Sequence, residues 1–204
     1  VINPYEIIDQ YGLDQIRFFL FREVPFGNDG DFSKDAIAKR VNADLSNNYG
    51  NLVQRICTFI KKNCSNTIEN KFDLSEDDNN ILDFSMIKIN SYNSFMDNQE
   101  IDKALKETFK LITEINVYID KQAPWNLKKN DIKRMNIVLS VSIELIKRCT
   151  LLLYPIMPGS CLKVFNILNL NFLDLNFENF LTLPNHNNQL NEVTPIFPRI
   201  EIND

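Results

Sequence analysis

Hydrophobic residues recur along most of this chain at spacings of three and four, the period that places side chains on one face of an α-helix. The longest such row is Ile37, Val41, Leu45, Tyr49, Leu52, Ile56 and Ile60, with no proline from Ser33 to Lys62. It predicts one amphipathic helix opening at Ser33, whose hydroxyl caps the first turn, with Asp35 at the positive end of the dipole. Such a helix makes about eight turns, roughly 45 Å at 1.5 Å per residue. Gly50 lies inside it, at about 1 kcal/mol relative to alanine, and points to a neighbouring helix approaching closely there.

Shorter rows predict the other elements. Pro4 opens a helical segment as far as Gln10, and Gly12 suits a closing position that needs positive φ. Leu13 to Phe21 places Ile16, Phe19 and Leu20 at helical spacing. Residues 24–32, with Pro25, Gly27 and Gly30, read as a loop. Ser75, followed by Asp77 and Asp78, caps a second long helix carrying Ile81, Phe84, Ile87, Ile89 and Phe95. A third spans about 101–121 with Leu105, Phe109, Ile112, Ile115 and Ile119. A fourth spans about 131–154 with Ile137, Val141, Leu145 and Leu152, and a shorter fifth follows Pro158 with Leu162, Phe165 and Leu168. Short connections make neighbouring helices antiparallel.

The expected fold is therefore all-α, an antiparallel helical bundle over residues 33–170. A connector over 1–32 precedes it. A loop and tail over 171–204 packs back on it, and Pro195 and Pro198 keep the end of that tail extended.

Composition agrees with a globular chain. Of 204 residues, 44% are hydrophobic and 24% charged, and only five are glycine, a scarcity that favours helices over turn-rich sheets. No apolar run reaches the roughly 20 residues that span a bilayer. The opening Val-Ile-Asn-Pro-Tyr-Glu lacks a signal-peptide pattern and an initiator Met, so it reads as the start of a piece of something longer. Cys57, Cys64, Cys149 and Cys161 show no Cys-x-x-Cys spacing and His186 is the one histidine, so the expectation is buried reduced thiols in a cytoplasmic protein, with no metal site. The formal net charge is −5. Acids gather in 73–83 and 97–107, bases in 121–134 and at Lys147 and Arg148. That asymmetry alone selects no partner.

Three side chains stand out by pattern. Asn51 and Arg55 are four apart on the long helix, beside the apolar row. They read either as an ordinary exposed helix edge or as a donor and acceptor pair for one base edge of a single-stranded loop. Trp125, the one tryptophan, follows Pro124 and reads either as core or as a platform on which an unpaired base stacks. Lys128 and Lys129 follow it, as phosphate contacts or as plain solvated lysines.

Four stretches carry a resemblance beyond pattern. They are Tyr11-Gly-Leu-Asp-Gln-Ile-Arg-Phe-Phe-Leu, continuing to Arg22-Glu-Val-Pro-Phe-Gly and Gly30-Asp-Phe-Ser; Arg40-Val-Asn-Ala-Asp-Leu-Ser-Asn-Asn-Tyr-Gly-Asn-Leu-Val-Gln-Arg55; Asp120-Lys-Gln-Ala-Pro-Trp125; and Phe197-Pro-Arg-Ile200. In this order they resemble the carboxy-terminal, anticodon-binding part of bacterial-type methionyl-tRNA synthetases. The resemblance implies that Asn51 and Arg55 contact the first anticodon base and that Trp125 stacks on the anticodon. It further implies that Asp14 and Arg17 lie where the inner corner of the tRNA rests.

The implied partner is methionine tRNA, initiator and elongator, with its CAU anticodon. The implied parent activity is attachment of methionine using ATP with magnesium. The family's HIGH signature, KMSKS loop, methionine pocket and zinc-bearing insertion are not found here, so the resemblance implies no catalytic residue and no cofactor in this stretch. It implies that the catalytic domain of the same protein is the neighbour of residues 1–32, and that the protein is a monomer. Two other readings stay open: the anticodon domain of a related synthetase for valine, leucine, isoleucine or cysteine, and a helical protein-interaction scaffold without RNA.

Overall fold

The computed structural model describes residues 3–23, 32–65, 73–171 and 189–201. Residues 24–31 of the expected loop, most of the polar stretch at 63–73, His186 and most of 171–191 lie outside the described residues.

The chain is an antiparallel helical bundle. Its elements are α1 (Pro4–Tyr11), α2 (Leu13–Glu23), α3 (Lys34–Arg40), a π-helical segment (Val41–Gly50), α4 (Asn51–Asn63), α5 (Glu76–Asp97), α6 (Ile101–Gln122), α7 (Pro124–Asn130), α8 (Ile132–Leu153) and α9 (Pro158–Ile167). Local chemistry sets most boundaries. The Asn3 side chain caps α1 ahead of Pro4, and Gly12 closes that helix at φ +93°. Ser33 caps α3 by accepting from the Ala36 N–H. Ser75 and Asp78 form a reciprocal capping box at the start of α5.

The predicted long helix is continuous in direction from Lys34 to Asn63, but its middle is not α-helical. Val41–Gly50 takes the wider i→i+5 winding. Ile37, Val41, Leu45 and Tyr49 follow one another at spacings of four only. Four exceeds the 3.6 residues of an α-turn, so such a row drifts towards solvent, and a wider turn brings it back. All four are fully buried. Gly50 does sit at a close approach, but the neighbour is not a helix. A Cβ there would lie 2.8 Å from the Leu45 carbonyl oxygen and 3.4 Å from Cδ2 of Phe197 in the carboxy-terminal tail.

That tail is sewn to the same segment. The buried Asn42 amide donates to the Ile200 carbonyl and accepts from the Ile200 N–H, each at 2.8 Å. Phe197 packs its ring 6.1 Å from that of Tyr49, whose hydroxyl meets Thr150 Oγ1 at 2.7 Å. One hydrophobic cluster runs from Ile7 and Phe18 through the long helices to Phe197.

Helix α8 forms the centre, with every residue from 141 to 150 buried. Lys147 and Arg148, counted above among the clustered bases, lie inside. Glu144 receives Lys147 Nζ at 2.7 Å and Arg148 Nε at 2.8 Å, and Arg148 Nη1 reaches Ser85 Oγ at 2.6 Å. Three residues of the predicted apolar rows face outward: Leu20, Ile87 and Leu162. In α2 it is Phe18 that fills the core, its ring 5.2 Å from that of Phe109. Cys57, Cys149 and Cys161 are buried free thiols, whereas Cys64 is half-buried. Burial pushes the Cys57 thiol up to about 12.

Candidate RNA interface

Asn51 and Arg55 are one turn apart on α4, on a face whose neighbours Leu52, Val53 and Ile56 are anchored in the core. Asn51 is exposed, and its side-chain amide makes no hydrogen bond among the described residues. Arg55 lies at the boundary, its stem against the protein and its head held by α6. Nη1 donates to Asp120 Oδ1 at 3.0 Å and Nη2 to Asn116 Oδ1 at 3.2 Å.

The guanidinium also stands over an aromatic ring. Arg55 Cζ is 5.7 Å from the centroid of Trp125, within the range of a cation–π contact. The indole is 39% exposed, so it is not a core tryptophan. It is carried there by a sharp corner between α6 and α7. Ala123 takes φ +45°, ψ +61°, a left-handed conformation that costs a non-glycine residue about 1–2 kcal/mol. The corner is braced from both sides. Pro124 is buried as the first residue of α7. The Gln122 amide donates to Asp77 Oδ2 and accepts from Arg134 Nη2, each at 2.8 Å.

Below the corner, Asp78 joins three helices. It accepts from Tyr118 Oη at 2.5 Å and from both terminal nitrogens of Arg134, one of them at 2.8 Å. Burial alone would raise the Asp78 carboxyl. The Arg134 guanidinium, the Tyr118 hydroxyl and the Ser75 N–H outweigh it and hold the group below the usual carboxylate value.

The structure thus brings Arg55 and Trp125 together, with Asn51 one turn along the same helix. The lysines fall close by on exposed surface: Lys128 Nζ reaches Asn63 Oδ1 at the end of α4, at 2.6 Å, and Lys129 is exposed. Asp14 and Arg17 are elsewhere. Asp14 Oδ2 accepts the Ser160 N–H at the start of α9, at 2.5 Å, and Arg17 donates to the carbonyls of Ile156 and Pro155. Both therefore clasp α2 to the α8–α9 turn. Trp125 is near the opposite end of α8, a helix of 22 residues and so about 33 Å long.

Asn116 and Asp120 were not singled out by pattern. Their signal is positional: with Thr113 they form a polar row along one edge of the apolar row of α6. Lys61 and Lys62, exposed in the last turn of α4, add positive charge near Lys128.

Two family comparisons cover the chain. Residues 1–57 match "tRNA synthetases class I (M)", and residues 70–196 match "Anticodon binding domain of methionyl tRNA ligase". Among curated relatives, the methionine–tRNA ligase of Mesorhizobium japonicum is 42% identical over 168 residues, covering 82% of this chain and 33% of that protein. That of Brucella suis is 40% identical over 200 residues, covering 98% of this chain and 39% of that protein. The chain therefore spans between a third and two-fifths of their length. Among solved structures, the apo Mycobacterium tuberculosis methionyl-tRNA synthetase superposes with a TM-score of 0.91 at 31% identity, covering 99% of this chain and 42% of that one. The same enzyme bound by methionyl-adenylate gives 0.90 at 31% identity, over 97% of this chain and 40% of that one.

Proposed function

The chain belongs to the methionyl-tRNA synthetase family and carries its anticodon-binding domain, and from this premise we propose that Asn51, Arg55 and Trp125 read the CAU anticodon of methionine tRNA, initiator and elongator alike. The observation that carries the reading is the guanidinium of Arg55 fixed beside a half-exposed indole. Single-stranded loops are recognised by stacking unpaired bases on aromatic rings and by bonding their edges to fixed donors and acceptors. Trp125 supplies the stacking surface. Arg55 supplies donors, and Asn51 supplies both a donor and an acceptor. Lys128 and Lys129 serve the neighbouring phosphates.

The parent activity on this reading is ATP-dependent attachment of methionine to that tRNA in the cytoplasm, by a monomer that uses magnesium. On the same reading that chemistry belongs to the catalytic domain of the parent protein. Adenylate formation is therefore assigned to no residue here. Residues 33–170 act as the reading bundle, residues 1–32 as its connector to the catalytic domain, and residues 171–204 as a tail that stabilises the bundle. Asp14 and Arg17 are assigned to bundle geometry at that connector, where the inner corner of the tRNA would rest.

Binding of methionine tRNA transcripts that differ only in the anticodon tests the proposal. The expected result is preference for CAU, with affinity that falls steeply as salt rises. Equal affinity for all anticodons would remove it.

A further inference from the structure

The polar seam beside Trp125 has a direction that does not depend on placing hydrogens, because it starts at a backbone carbonyl. The Phe109 oxygen can only accept, so the Thr113 hydroxyl donates to it, at 2.9 Å. Thr113 Oγ1 in turn receives an N–H from Asn48 Nδ2 at 3.3 Å. That leaves Asn48 Oδ1 as the acceptor facing Asn116 Nδ2, 2.9 Å away. The second hydrogen of Asn116 Nδ2 points to the Ile112 carbonyl at 3.1 Å. Turning this amide over would set its oxygen against two acceptors. The Asn116 oxygen is consequently locked towards Nη2 of Arg55, 3.2 Å away.

We infer that Asn116 is a positioning residue for anticodon reading: its oriented amide sets the Arg55 guanidinium, and Asn48, at the end of the π-helical segment, sets the amide. The inference rests on Arg55 as a base contact. A long side chain immobilised before RNA arrives presents one donor pattern and loses little freedom on binding, the condition for discriminating a base edge. Asp120, the other anchor, is exposed on 59% of its side chain, so solvent and salt weaken its hold. The half-buried Asn116 is the better shielded of the two anchors.

The test compares the parent chain with Asn116→Leu, Asn116→Asp, Asn48→Ala and Arg55→Ala. Dissociation constants are measured for tRNA transcripts carrying CAU or a changed first anticodon base. Emission of Trp125, the one tryptophan, reports whether the guanidinium still stands over the ring, and circular dichroism confirms folding.

Asn116→Leu is expected to lower the discrimination ratio by about tenfold and to shift emission in the direction of Arg55→Ala. Asn116→Asp keeps an acceptor towards Arg55 but sets its second oxygen against the Asn48 oxygen and the Ile112 carbonyl, so its ratio is expected to fall between those of the parent and Asn116→Leu. Asn48→Ala frees the amide to turn and gives an intermediate loss, and it carries the test if Asn116→Leu fails to fold. A parental ratio in Asn116→Leu, or uniform weakening across all transcripts, overturns the inference. If Arg55→Ala itself leaves the ratio unchanged, the reading of Arg55 fails instead, and Trp125 emission alone decides whether Asn116 holds the guanidinium.

Discussion

The guanidinium carbon of Arg55 lies 5.7 Å from the ring centroid of Trp125, although the two residues sit on different helices and 70 positions apart in sequence. One face of the indole is therefore occupied before any ligand arrives. A base that stacks on Trp125 is left the other face, which makes a three-layer arrangement of cation, indole and base.

Trp125→Ala is expected to weaken tRNA binding about 5- to 150-fold, the range for losing one base–aromatic stack. The melting temperature should change little, because the indole is 39% exposed and fills no core cavity. Thermal melts and binding curves on the same preparation check both halves. A variant that melts far below the parent would make Trp125 a structural residue.

Asn51→Ala removes an exposed amide and should leave folding untouched. Its effect should fall on selectivity: the gap between CAU and transcripts altered at the first anticodon base narrows by roughly 5- to 150-fold, the value of one bidentate base contact. If affinity drops equally for every anticodon, Asn51 reads no base.

Lys129→Ala should behave in the opposite way. Losing a phosphate contact weakens all anticodons alike and lowers the slope of log affinity against log salt by about 1. Titrations at several salt concentrations measure that slope directly, and an unchanged value would return Lys129 to the solvated surface.

Asp78 gives a pH signature. Its folded carboxyl is held below its ordinary 3.8, so it contributes stability at neutral pH that is lost as pH falls through the folded value. Acid-induced unfolding of the parent should therefore steepen below about pH 4. Asp78→Asn should be destabilised at pH 7 by about 3–5 kcal/mol, since Arg134 is left without its buried counter-charge, and should show a shallower acid limb. Melting curves from pH 7 to pH 3 separate the two. An acid limb identical to that of the parent would exclude Asp78 as a source of the pH dependence.

Gly50→Ala sets two opposing effects against each other. Alanine favours a helix by about 1 kcal/mol, but its Cβ would meet the Leu45 carbonyl oxygen at 2.8 Å, an atom that cannot swing away. Crowding of this kind costs about 1–3 kcal/mol. The melting temperature should fall by several degrees, at about 2–4 °C per kcal/mol for a chain of this size. A higher melting temperature would show that propensity governs this position.

Elements with a chemical signature at their ends were legible in the sequence. Ser33 and Ser75 as caps, Gly12 as a positive-φ stop and Pro158 as a helix start all act through their immediate neighbours, and each appears in the structure. The family motifs likewise carried Asn51, Arg55 and Trp125. What pattern missed depends on groups distant in sequence. The π-helical winding suits Tyr49 and Asn42 to partners beyond residue 149. Lys147 and Arg148 look solvated until Glu144 and Ser85 are placed around them. Asn116 is one polar residue among many on α6 until Asn48 and Arg55 flank it. Leu20, Ile87 and Leu162 show that a helical row overstates burial wherever a helix offers more apolar positions than its neighbours cover.

The pairing of Asn42 with Ile200 spans 158 positions, and its donor and acceptor have each other as partners. During translation Asn42 thus emerges well before the residue that satisfies its amide in the folded chain. At about 5–20 residues per second that interval lasts roughly 8–30 s. The helix that carries Asn42 therefore precedes its clasp by that interval, and a ribosome that stalls before residue 197 releases a chain in which Asn42 lacks Ile200.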